Sequence, residues 1–168
     1  VAMTAMPQQV ALYNGMGGGS AAAIGAVELL RFSAEGSAPS RVVLSAAVIG
    51  ALIGAVSLTG SIIAWAKLDG VLDKRFTFPG QQYVNLLVFL AAALAGAYLF
   101  LGLDVRVIIA FFVLALLFGV LMTLPIGGAD MPVVISLFNA FTGLAVAFEG
   151  FVLQNEALII AGMVVGAA

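Results

Sequence analysis

The charged residues of this chain fall in clusters, and the uncharged stretches between them constrain the fold more than any other feature. They run for 27 residues before Glu28, 25 between Arg41 and Lys67, 28 between Arg75 and Asp104, and 23 between Arg106 and Asp130. The hydrocarbon core of a bilayer takes about 20 apolar residues in a helix, so each stretch is long enough to cross. Two shorter stretches follow: 18 residues from Asp130 to Glu149, extendable to Leu153 if Glu149 sits at the far interface, and 12 after Glu156. Only six basic and eight acidic residues occur in 168, with 64% hydrophobic residues and a mean hydropathy of +1.24. A buried soluble bundle would need polar outer faces that these segments lack. The spacing therefore predicts an all-α, polytopic membrane bundle. Its six transmembrane helices fall over 7–30, 42–66, 83–103, 106–124, 131–153 and 156–168, with the last cut off mid-helix. The short connections predict one transmembrane domain over 1–168.

The composition removes several functions. With no Cys and no His there is no disulfide, no thiolate or imidazole metal site, and no Cys or Ser-His nucleophile. A net charge of −2 offers nothing to nucleic acid. The first segment has no basic leader and enters through Pro7-Gln8-Gln9, unlike a signal peptide, so both termini read as breaks in a longer chain. Trp65, Phe76, Phe78 and Tyr83 flank the loop after helix 2, as expected at a headgroup boundary. Let side A carry loops 1/2, 3/4 and 5/6, and side B carry loops 2/3 and 4/5. Basic residues are tied, with Arg31, Arg41 and Arg106 against Lys67, Lys74 and Arg75, so loop charge does not orient the chain.

Helices 1 and 5 repeat one another. Met6, Pro7, Leu12, Asn14, Gly18, Ala22, Gly25 and Val27 match Met131, Pro132, Leu137, Asn139, Gly143, Ala147, Gly150 and Val152 in one register. Helices 2 and 6 echo each other through Gly50-x-x-x-Gly54-Ala55 and Gly162-x-x-x-Gly166-Ala167. An even number of crossings separates helices 1 and 5, so the repeat is parallel.

Asn14 and Asn139 each lie seven residues past a proline at a side B helix start, roughly 10 Å inside that boundary. Ser61 approaches the same level from the end of helix 2, about 8 to 9 Å in, with Thr59 deeper. Lipid offers these groups no hydrogen bond, so each is expected to face another helix or a wet cavity. Two readings follow: helix-to-helix bonds worth about 0.6 kcal/mol each, or a polar conduit. Gly15, Gly17, Gly18 and Gly19, with Gly50, Gly54 and Gly60, suit tight helix packing. They do not form a nucleotide loop, because Gly15-x-Gly17-x-x-Ser20 lacks its last glycine and follows no strand. Asp130, between Gly127-Gly128 and Pro132, is expected to cap helix 5 and to lie at the side B mouth. Glu149 and Glu28 are expected as solvated helix ends on side A.

The run Gly127-Gly128-Ala129-Asp130-Met131-Pro132, continued by Ser136, Asn139, Gly143 and Gly150-Phe151-x-Leu153-x-Asn155, closely resembles the membrane domain of the beta subunit of proton-translocating NAD(P) transhydrogenase. Thr59-Gly60-Ser61, with Lys67 after it, fits the same family, and the resemblance spans essentially the whole chain. It implies hydride transfer from NADH to NADP⁺ coupled to proton translocation, with NAD(H) and NADP(H) bound by soluble domains outside this segment. It implies a companion transmembrane alpha subunit, a dimer of the whole complex and a bacterial inner membrane, with side B cytoplasmic. No catalytic, cofactor-binding or metal residue is then expected here. Asn14, Asn139, Ser61 and Thr59 are the expected proton path, and Asp130, Gly127 and Gly128 the expected coupling to the nucleotide domain. In some relatives the position matching Asn14 is a histidine implicated in proton conduction. An amide does not titrate near neutral pH, so the companion subunit is expected to supply the titrating group beside Asn14.

Two other readings compete. A secondary transporter or channel subunit would use the parallel helix repeat around a midplane site. A purely structural membrane subunit would use the polar groups only to hold helices together.

Overall fold

The computed structural model describes residues 6–36, 39–72 and 74–167. It contains six α-helices: α1 Met6–Glu35, α2 Arg41–Leu68, α3 Gln81–Tyr98, α4 Val105–Thr123, α5 Met131–Val152 and α6 Glu156–Ala167, with a single 3-10 turn at Gly128–Asp130 before α5. No strand occurs among the described residues. The helix α1 continues five residues past the expected end at 30, because Arg31 bridges Glu28 and Glu35 along its last turns. The helix α3 stops at Tyr98 instead of 103, where Phe100 and Leu101 turn back onto Ala97 and Tyr98. Ser40 Oγ accepts from Val43 N and Asp104 accepts from Arg106 N, which fixes the starts of α2 and α4.

By length and hydropathy α2, α3, α4 and α5 can each cross a membrane. The helix α1 has the length, but glycines and Gln8, Gln9 and Asn14 dilute its hydropathy. The outer faces are apolar, as lipid requires: Leu86, Leu87, Leu90 and Leu94 of α3 and Ile109 and Val113 of α4 are exposed.

The helix α2 is the hub, packing on α1, α4 and α5, while α3 leans on α4 and α6 on α5. Small residues make this possible. A Cβ at Gly54 would stand 2.7 Å from Gly18 O and 2.9 Å from Ala22 N, so α1 and α2 touch backbone to backbone. In the second hairpin a Cβ at Gly162 would stand 2.6 Å from Gly143 O and run into Ala147 N. Gly18 and Ala22 are the residues matched by Gly143 and Ala147, so the repeat is also a repeated helix crossing. The partner of Gly54 in this crossing is Gly162, one turn earlier than the Gly54/Gly166 pairing that spacing suggested.

Candidate functional site

A polar seam runs where α1, α2 and α5 meet. Asn14 Nδ2 donates to Ile135 O at 3.2 Å, and Thr142 Oγ1 donates back to Asn14 O at 3.0 Å. Ser57 Oγ and Thr142 Oγ1 stand 2.6 Å apart, and Ser57 Oγ also lies 3.2 Å from Phe138 O. All three side chains are buried among apolar helices. Ser61 lies one turn from Ser57 toward side B, with its hydroxyl buried and without a hydrogen-bond partner. The arrangement depends on bare backbone at Gly15, where a Cβ would lie 3.3 Å from that of Ser61, and at Gly17, where one would lie 2.7 Å from Thr142 Cγ2.

The four residues singled out from sequence separate into three interfaces. Asn14 and Ser61 share the seam. Asn139 turns to α6, where its Nδ2 donates to Val165 O at 3.0 Å. Thr59 turns to α4, its hydroxyl 2.9 Å from Leu116 O and 3.3 Å from its own-helix carbonyl at Ala55. Seam residues that sequence reasoning passed over are Ser57 and Thr142. Two spacings pointed to them: Ser57 is one helical turn from Ser61, and Thr142 is three residues after Asn139.

Side B closes over the seam with charge. The Lys67 ammonium is buried and donates to Leu124 O and Ile126 O, the carbonyls left free where α4 ends. Gln8 Nε2 of α1 donates to Leu68 O at 3.3 Å. The Arg75 guanidinium lies against Gly127, where an added Cβ would push it aside, and pairs with Asp130 at 3.4 Å. Asp130 occupies the N-cap position of α5, but its carboxylate makes no cap hydrogen bond. The capping role expected from its place before Pro132 is replaced by the pairing with Arg75. An open crevice of about 290 Å³ lies beside the seam between α1, α5 and α6, lined by Tyr13, Asn14, Gly17, Thr142, Gly162 and Val165 among others.

Over residues 1–168 the sequence matches the family described as NAD(P) transhydrogenase beta subunit. A curated relative, the NAD(P) transhydrogenase subunit beta of Rhodospirillum rubrum, is 37% identical over 173 residues and is matched by 100% of this chain. A second sequence of the same name, from a defined strain of that species, matches to the same extent. The chain belongs to this family. It spans 37% of the length of these relatives.

One more feature of this transhydrogenase beta segment departs from expectation. Glu149 and Glu28, expected at solvated helix ends, are both buried inside the bundle, at 0% and 6% exposure. Glu28 pairs with Arg31 at 3.3 Å. Glu149 has no hydrogen-bond partner at either carboxyl oxygen. Counting residues from Met131 set Glu149 near the far boundary, but small residues on α1 and α2 let its side chain turn inward.

Proposed function

We propose that this segment is the proton-conducting membrane part of a transhydrogenase that couples hydride transfer from NADH to NADP⁺ to proton movement across a bacterial inner membrane. NAD(H) and NADP(H) bind to soluble domains outside residues 1–168. The segment works beside a companion transmembrane alpha subunit, in a dimer of the whole complex.

The observation that supports this reading best is the hydroxyl pair Ser57 and Thr142. Each carries one proton, and the two have four acceptors between them: each other's oxygens, Asn14 O and Phe138 O. In one arrangement Ser57 donates to Thr142 while Thr142 donates to Asn14 O. In the other Thr142 donates to Ser57 while Ser57 donates to Phe138 O. Turning both hydroxyls interconverts the two without moving a heavy atom, which is what a chain that passes protons must do between transfers. Helix-to-helix bonding alone needs only one arrangement.

Asn14 holds the bottom of this unit through Ile135 O, and Ser61 extends it toward side B with an unused hydroxyl. Asn139 on α5 and Thr59 on α2 flank the seam, facing α6 and α4. The crevice beside Asn14 is the place for a transmembrane helix of the alpha subunit, which brings the titrating group that Asn14 lacks. Asp130, Gly127 and Gly128 form the side B surface that meets the NADP(H)-binding domain.

The test uses the complete transhydrogenase in sealed vesicles. Thr142→Val keeps the shape and removes the hydroxyl. The expected result is proton transport slowed by about 100-fold or more, with folding stability within about 1 kcal/mol of the parent. Proton transport at the parent rate would overturn the reading.

A further inference from the structure

Glu149 sits in a slot made for it. A Cβ on Gly25 of α1 would lie 2.7 Å from its Oε1, and a Cβ on Gly50 of α2 would lie 2.6 Å from Oε1 and 3.1 Å from Cδ. Two helices thus omit a side chain at the same carboxyl group. The slot offers that group space but no hydrogen bond, since both oxygens are buried and unpartnered. The nearest basic residue on the facing helix, Arg31, is engaged by Glu28 at 3.3 Å and Glu35 at 3.4 Å.

A bond between helices does not explain this arrangement, because no bond is made. Apolar packing does not explain it either, because a leucine or methionine would fill the same volume without desolvating a carboxyl. A carboxylate there would be a buried charge without a partner, and a carboxylic acid only an unpaired dipole, so gaining or losing a proton changes the energy of the slot greatly. Such sensitivity suits a group that takes up a proton and passes it on.

Position along α5 supplies the route. Thr142 precedes Glu149 by seven residues, two turns on the same helix face and about 10 Å. Ala145, fully buried, stands between them on that face and carries no polar group, so a proton crossing this stretch needs a water. Beyond Glu149, toward side A, lies the Glu28 carboxylate.

We propose that Glu149 is a proton-binding site at the side A end of the seam, an inference that rests on the conduit reading given above. In the inward direction the O–H bond at Glu149 breaks as a water on the Thr142 side gains the proton, and the carboxylate left behind is recharged from side A through Glu28. In the outward direction the same bonds form and break in reverse order. No electron moves, and the only co-reactant is water.

The experiment compares Glu149→Gln, Glu149→Asp and the parent in the complete enzyme, reconstituted in vesicles. Proton transport is read beside nucleotide hydride exchange that needs no net proton flow. For Glu149→Gln, which keeps the shape of the side chain, the expected result is proton transport down by about 100-fold with hydride exchange within about twofold. Glu149→Asp should restore part of the transport. Infrared spectra should show a carboxylic acid carbonyl band that responds to pH and is deleted in Glu149→Gln. Parent-level transport in Glu149→Gln, a loss matched by folded yield, or the lack of such a band in the parent would each overturn the proposal. Failure of Thr142→Val to affect transport, with Glu149→Gln still blocking it, would refute the seam and leave Glu149 as a site reached by another route.

Discussion

Ser57 Oγ on α2 and Thr142 Oγ1 on α5 stand 2.6 Å apart in the interior of the bundle, 85 residues apart in sequence. Because either hydroxyl can donate to the other, and a turn of one requires a turn of its partner, the pair acts as a unit. Ser57→Ala and Thr142→Val should each slow coupled proton transport to a similar degree, and the double variant should be no slower than the worse single one. Vesicle transport rates for the three variants check this; independent, multiplying losses would show that the two hydroxyls work separately.

The repeated glycine crossing predicts which glycines the fold tolerates changing. Gly54→Val and Gly162→Val both drive a side chain into a neighbouring backbone, and each should lower folded yield by well over half. Gly102, whose added Cβ would meet nothing within 4 Å, should accept alanine with a change of only about 0.5 kcal/mol. Thermal unfolding in detergent measures all three.

Lys67 ties α2 to the end of α4 through Leu124 O and Ile126 O. Lys67→Met leaves two carbonyls without their donor, and a loss of about 2 kcal/mol is expected. The loosened segment should be the side B loop, so amides of Gly127 to Asp130 should exchange faster while those of α3 do not. Uniform acceleration across the bundle would mean that Lys67 stabilises the fold as a whole rather than this corner.

The Arg75 and Asp130 pair is mostly exposed, with side-chain exposures of 63% and 64%. Surface pairs of this kind contribute about 0 to 1 kcal/mol and are screened by salt. Arg75→Gln should therefore leave thermal stability nearly unchanged. Asp130→Asn should do the same while weakening coupling between proton transport and hydride transfer, read as protons moved per hydride. Unchanged coupling would exclude a charge role for Asp130.

The spacing of fourteen charges along 168 residues determined that this chain forms apolar helices, and nearly where each begins. Bilayer thickness fixes the length of a span, and a charge inside it is costly, so span and boundary can be counted off one dimension. The parallel repeat was equally legible, because identical residues in one register do not depend on how helices turn.

Which way each polar side chain faces was decided only by tertiary structure. Asn14 and Asn139 hold matching places in the repeat, yet one bonds to α5 and the other to α6. Depth is a matter of rise per residue, but azimuth depends on which helix packs against which face, and glycine crossings between neighbouring helices set that. For the same reason Ser57 and Thr142 met, Thr59 turned to α4, and Glu149 moved from an expected watery helix end into a slot opened by Gly25 and Gly50.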